Sequence, residues 1–172
     1  MRTGIIDRFR TMPLRADAVL TGHVVASLLR NIVATAVVIG VGVLVGFRPT
    51  ATFGDWMLTA ALIALYILTI TYLFAAIGLA AGSPEGANGY GFVLLFLPYL
   101  SSAFVPVVSM PEWLQPVVEH QPITPIVESI RALLMGTSVD SEPILAVLWC
   151  VLILVIAAVW GAWLFRRKAA RR

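Results

Sequence analysis

Residues 56–81, WMLTAALIALYILTITYLFAAIGLAA, contain no Asp, Glu, Lys or Arg, and this run decides the fold class. A helix needs about 20 mostly apolar residues to cross a bilayer core about 30 Å thick. The run exceeds that length and predicts a membrane span. The rest of the chain agrees. Of its 172 residues, 60% are hydrophobic and 12% charged, against roughly 45–50% and roughly 25% in soluble domains. Such a chain has too little polar surface for a soluble enzyme, and it is too apolar for a disordered tail. The net charge of +3 does not point to nucleic acid either, because the basic residues gather at the two chain ends.

Three further runs have spanning length: residues 24–46, 89–109 and 143–165. Arg30 is their only charge, close enough to one end to snorkel to the headgroups. None reads as a signal peptide. The expected fold is therefore one all-α membrane domain with four transmembrane helices. Arg2, Arg8, Arg10 and Arg15 precede the first span, and Arg166, Arg167, Lys168, Arg171 and Arg172 follow the last. Lys and Arg favour the cytoplasmic side, so both termini are expected there. That leaves 47–55 and 110–142 outside, 82–88 inside, and 166–172 as a basic cytoplasmic tail. Gly40, Gly42 and Gly46, and then Gly78 and Gly82, form small-residue patterns that suit close helix packing or reflect the high glycine content of membrane helices.

Two segments outside the spans carry more information. In residues 1–23, Ile5, Ile6, Phe9 and Met12 recur at helical spacing with Asp7, Arg8 and Arg10 between them. This predicts an amphipathic interfacial helix ended by Pro13, with a second short helix running from Ala16 into the first span. A plain positive anchor is the alternative. The outer segment 110–142 contains apolar pieces too short to span, which predicts an interfacial or re-entrant helical hairpin. Trp113 suits an interfacial anchor, Pro125 a helix start with Thr124 as its cap, and Gly136 a helix end. Glu119 and His120 read as a solvated pair or a pH-responsive one. Within the third span, Pro98 predicts a kink or pivot, and Tyr99, Ser101 and Ser102 offer polar groups beside it.

Several chemistries find no support. There is no GxxxxGK[ST] loop, so ATP hydrolysis by a P-loop is excluded. His23 and His120 lie far apart, and the single cysteine, Cys150, sits in an apolar run and reads as a small hydrophobe. No metal or cofactor site is expected. Ion-coupled carriers keep acidic groups in their spans, and these spans have none. An amphipathic or lipid-like cargo fits better than an ion, with energy supplied by a partner.

Two blocks resemble a known family in that family's order. GIIDRFRTMPLRADAVLTGHVVA, residues 4–26, resembles the cytoplasmic helix of type-2 ABC exporter permeases, including the daunorubicin-type drug exporters. Residues 83–136 resemble the last inner loop, penultimate span and outer hairpin, through SSAFVP, MPEWL and QPITP. The resemblance implies that Asp7, Arg8, Phe9, Arg10, Thr11, Met12 and Pro13 contact a separate ABC ATP-binding subunit, with Ser83, Pro84 and Glu85 as a second interface. It implies a permease homodimer or heterodimer in a bacterial-type plasma membrane, in contact with lipid and a hydrophobic substrate, and with ATP bound by the partner subunit. The outer hairpin would cap the exit path. Family permeases carry six spans, so the first two are expected to be missing through a late-placed start or truncation, or supplied by another chain. A non-transporting scaffold is the competing reading.

Overall fold

The computed structural model describes residues 16–81, 84–137 and 141–169. Its elements are α1 (Ala16–Val45), α2 (Phe53–Ala81), α3 (Pro84–Leu95), 3₁₀ turns at Leu97–Leu100 and Val107–Ser109, α4 (Gln115–His120), α5 (Ile123–Met135) and α6 (Glu142–Ala169). No strand occurs among the described residues. Residues 1–15, which hold most of the expected interfacial helix, lie outside them. From Ala16 the chain is already in α1, so the second short helix is continuous with the first span.

Val25–Val45, Phe53–Ala81 and Glu142–Arg167 are each long and apolar enough to cross a membrane. They are apolar on every face, as suits helices whose surroundings are lipid or protein. Their ends are set locally. Gly46, at φ 118°, terminates α1, and the Phe47 N–H returns to the Gly42 carbonyl at 2.9 Å. At the start of α2, the Asp55 carboxylate accepts from the Thr52 N–H at 2.8 Å, and the Asp55 N–H donates back to Thr52 Oγ1 at 3.4 Å. This reciprocal pair occupies donors that a helix start leaves open.

The third expected span, 89–109, requires correction: it is not one continuous helix. α3 begins earlier, at Pro84, and stops at Leu95 after 12 residues, a rise of about 18 Å. Pro98 is the cause. It has no N–H, and its ring excludes the carbonyl four residues back. The chain tightens instead, with the Tyr99 and Leu100 N–H groups both directed at the Phe96 carbonyl, at 3.0 and 3.3 Å. The outward passage is completed later by α5, the most enclosed helix, which buries Thr124, Ile126, Ser129, Leu133 and Leu134. Ile126 shares a core cluster with Leu62, Ala146 and Cys150, well inside α2 and α6. The 110–142 segment thus enters the bundle through α5, and α3 and α5, each too short to span, together occupy the place of the third expected span as two half-crossings.

The helix pair α2–α6 forms the frame. Thr69 Oγ1 donates to the Cys150 carbonyl at 3.2 Å, and further along Gly161 faces Ala76, where a Cβ would meet the alanine methyl at 3.6 Å. Both helices therefore run the same way. The start of α1 lies at the end of the bundle where α2 and α6 finish. The close approach uses Gly161 rather than the glycines picked out by pattern, since nothing lies within 4 Å of a Cβ at Gly40 or Gly78.

At the other end, Thr50 in the α1–α2 connection clamps α5. Its N–H donates to the Leu134 carbonyl at 3.0 Å and its hydroxyl to the Met135 carbonyl at 2.6 Å. Gly136 ends α5 at φ 64°, as its sequence position predicts, and its N–H returns to Ala132. A Cβ there would lie 2.9 Å from Thr50 Oγ1. Gly136→Ala therefore meets both left-handed strain, about 1–2 kcal/mol, and the clamp itself. It should lower the thermal unfolding midpoint in mild detergent, whereas Gly40→Ala, in open helical space, should not. A midpoint unchanged by Gly136→Ala would count against the clamp.

Candidate functional site

The break at Pro98 leaves an internal space. A cavity of about 220 Å³ lies between α2, α3, α5 and α6 at the level where the two half-crossings meet. α2 contributes Tyr66, Thr69 and Phe74, α3 contributes Gly91 and Leu94, and Pro98 closes one side. α5 presents Ile123 and Ile126, and α6 presents Cys150 and Ile153. No charged side chain is among the lining residues. The Thr69 hydroxyl is directed at the Leu65 and Cys150 carbonyls, so its donor is spent within the protein. Phe74 lies across Gly91, where a Cβ would stand 3.0 Å from the ring edge, so glycine there lets the ring rest on the α3 backbone.

Around the cavity, the broken segment is tied to α5 by side chains. Gln121 Nε2 donates to the Leu100 carbonyl at 2.9 Å and to Thr124 Oγ1 at 3.2 Å. Arg131 Nη2 donates to the Ser102 carbonyl at 3.1 Å while Nη1 pairs with Glu128 at 2.8 Å. These bonds supply partners to backbone carbonyls in the non-helical stretch that follows the break. Phe92, Phe96, Tyr99 and Phe104 form a ladder of exposed rings on the outside of the same segment, with Tyr99 and Phe104 stacked at 5.0 Å.

Of the residues singled out by sequence, Pro98 lines the cavity, Tyr99 faces outward, and Ser101 and Ser102 are fully buried beside the break. Trp113 is 75% exposed, as an interfacial anchor would be. Glu119 and His120 are exposed, and His120 Nδ1 lies 2.8 Å from the Pro116 carbonyl oxygen. The structure corrects the proposed helix start. α5 begins at Ile123, Pro122 occupies the cap position, and no side chain caps it. Thr124 sits inside the first turn and accepts from Gln121. Pro125 is tolerated two residues into the helix because first-turn N–H groups have no intrahelical acceptor. Asp7, Arg8, Phe9, Arg10, Thr11, Met12, Pro13 and Ser83 lie outside the described residues. Pro84 and Glu85 open α3.

Sequence reading missed Thr69, Phe74, Gly91, Gln121 and Arg131. A hydroxyl within an uncharged run, one of three threonines there, and the one Lys or Arg of the outer segment were the available signals. Cys150 is buried, as a small hydrophobe should be, and it also lines the cavity. Among the described residues, no group of His, Cys, Asp or Glu is placed to hold a metal.

The sequence profile of the ABC-2 type transporter family matches residues 1–135. The daunorubicin resistance ABC transporter permease protein DrrB1 of Streptomyces coeruleorubidus is 32% identical over 136 residues, covering 78% of this chain and 48% of its own length. The probable doxorubicin resistance ABC transporter permease protein DrrC of Mycobacterium tuberculosis is 27% identical over 166 residues, covering 96% of this chain and 60% of its own. The chain thus spans about half the length of the curated relatives it matches. No solved structure matches it.

The two adjacent serines give opposite expectations. Ser101 Oγ donates to the Pro98 carbonyl at 2.6 Å and accepts from the Ala103 N–H at 3.1 Å. The buried Ser102 hydroxyl has no partner. The Pro98 carbonyl keeps the Ser101 N–H at 3.2 Å, so Ser101→Ala should cost about 1–3 kcal/mol of stability by leaving the half-buried Ala103 N–H without its acceptor, and Ser102→Ala should cost nothing or stabilise. Thermal unfolding of the two variants in the same detergent checks the order, and the reverse ranking would refute the hydrogen-bond account of the break.

Proposed function

The chain belongs to the ABC-2 type transporter family, and from that membership we propose that it is a membrane permease part of an ATP-driven exporter of hydrophobic compounds. The observation that carries this reading is the family match over residues 1–135, which includes the Arg8–Pro13 stretch. ATP is bound and hydrolysed by a separate ABC subunit. The permease works as a homodimer or heterodimer in a bacterial plasma membrane, with both chain ends cytoplasmic. The direction of the helices supports that orientation, since α1 starts at the end of the bundle where α2 and α6 finish.

The geometry supplies a route for coupling. Residues Asp7, Arg8, Phe9, Arg10, Thr11, Met12 and Pro13 rest on the ATPase, with Ser83, Pro84 and Glu85 beside them. α1 follows directly and runs as a single helix to the connection that holds Thr50. Thr50 grips the end of α5, and α5 walls the cavity. Movement of the ATPase subunits during ATP binding therefore reaches the cavity through α1 and the Thr50 hydrogen bonds, and through α3, which starts at Pro84 and lines the cavity. Two arrangements of this unit, biased by ATP next door, give alternating exposure. Pro98 is the pivot, with Tyr99, Ser101 and Ser102 beside it. The outer segment with Trp113, Glu119, His120, Thr124 and Pro125 covers the far side.

Purification from native membranes in mild detergent tests the reading. A P-loop ATPase should be recovered in near-equal amount, and recovery of the chain alone with the ATPase present in the input would favour a scaffold. Arg8→Glu combined with Arg10→Glu should abolish that association while leaving membrane insertion intact. Normal association in the double variant would remove the coupling role.

A further inference from the structure

We propose that the cavity between the two half-crossings is a binding site for an uncharged hydrocarbon segment of an amphiphile, which enters sideways from the lipid between α2 and α3. Its use for cargo rests on the permease reading above, whereas binding itself depends only on the cavity.

The chemistry of the walls selects the occupant. Tyr66, Thr69 and Cys150 bring the only side-chain heteroatoms among the lining residues, and the Thr69 donor is already engaged. Water needs two to four polar partners to reside in a cavity, and a charged or hydrogen-bonding group moved into this one would forfeit its hydration for little return. A hydrocarbon forfeits nothing and gains dispersion contacts. Size agrees: an apolar cavity of about 150 Å³ accepts benzene, and this one, at about 220 Å³, has room for more.

The position of the mouth follows from exposure. Most lining residues are buried or half-buried, but Phe74 on α2 and Leu95 on α3 are 41% and 61% exposed. Both lie on the outer surface of the described bundle. The opening is therefore lateral, between α2 and α3, at the depth of the chain break. The Phe74 ring, resting on Gly91, stands at that opening.

Two sources can supply such a segment, the acyl chain of a bilayer lipid or the apolar part of an exported compound. The test uses the full chain in vesicles of phosphatidylethanolamine and phosphatidylglycerol. A trace phosphatidylcholine carries a diazirine midway along one acyl chain, and adducts are mapped by mass spectrometry after illumination. Peptides holding Thr69 and Cys150 should be labelled, although both side chains are buried. Leu73→Trp and Ile153→Trp, which fill the cavity from two different helices, should each reduce that labelling by about tenfold without changing adducts at the outward-facing Val33 and Val37. Unchanged helix content and elution volume exclude misfolding as the cause. Excess pyrene, an uncharged flat hydrocarbon, separates the sources. Competition marks a site open to cargo, and persistence of the lipid adduct marks a resident acyl chain. Labelling confined to outward-facing residues, or unaffected by both tryptophan variants, would overturn the proposal. Loss of the ATPase partner would overturn the permease reading and leave this one standing.

Discussion

Within hydrocarbon, every backbone N–H and C=O must find its partner inside the protein, and Pro98 breaks that rule for one crossing. The consequences account for much of the architecture. The helix stops at Leu95, short of the length a crossing needs. The carbonyls beyond it require other donors, and Gln121 and Arg131 reach Leu100 and Ser102. Those donors belong to α5 and the residue pair before it, so α5 must lie inside the bundle rather than above it. Irregular backbone at membrane depth is tolerated where protein shields it or where it borders a cavity, and here both conditions hold.

The frame around the break is held by a different principle. Lipid is as apolar as leucine, so helices gain nothing from hydrophobic burial against one another and must be joined by close packing and hydrogen bonds. α2 and α6 satisfy this with Gly161 against Ala76 and with Thr69 sharing its hydroxyl between its own helix and Cys150. α1 does so less. Most of its large side chains remain exposed, Leu44 by 87% and Val45 by 84%. Its firmest tie to the remainder runs through the Thr50 clamp at its far end.

This division explains which features were legible in the sequence. Spans 56–81 and 143–165 show as uncharged runs because lipid imposes a simple rule on them, and helices cover both. Gly136 was legible because a left-handed helix end accepts little else. The third crossing misled because hydropathy counts apolar residues and is blind to a broken hydrogen-bond ladder. Pro98 signalled a kink, while a full stop with re-entry depends on what donors α5 brings. Glycine spacing left close packing and ordinary glycine content as alternatives; Gly40 and Gly78 face open space and the contact falls at Gly161, since spacing on one helix says nothing about the face its neighbour offers. The cavity was invisible for the same reason. Its lining comes from mostly apolar residues spread between 66 and 153 on four helices, and no single stretch of sequence shows that they converge.

The break and the clamp together divide the molecule by stiffness. α2 and α6 are joined along their length, so displacing one against the other would disturb many contacts at once. The turns between α3 and α5 are held by a few hydrogen bonds, whereas α5 itself is packed against α2 and α6 and gripped by Thr50 at its end. A packed interface tends to hold one arrangement or switch to another, whereas a chain tied at a few points can shift when one tie is moved. In this protein one such tie is Thr50 at the tip of α1, a helix whose described side chains are mostly exposed, and it holds the end of α5, which borders the cavity. A proline that interrupts a membrane crossing thus leaves the turns between α3 and α5 as the loosely tied border of the cavity.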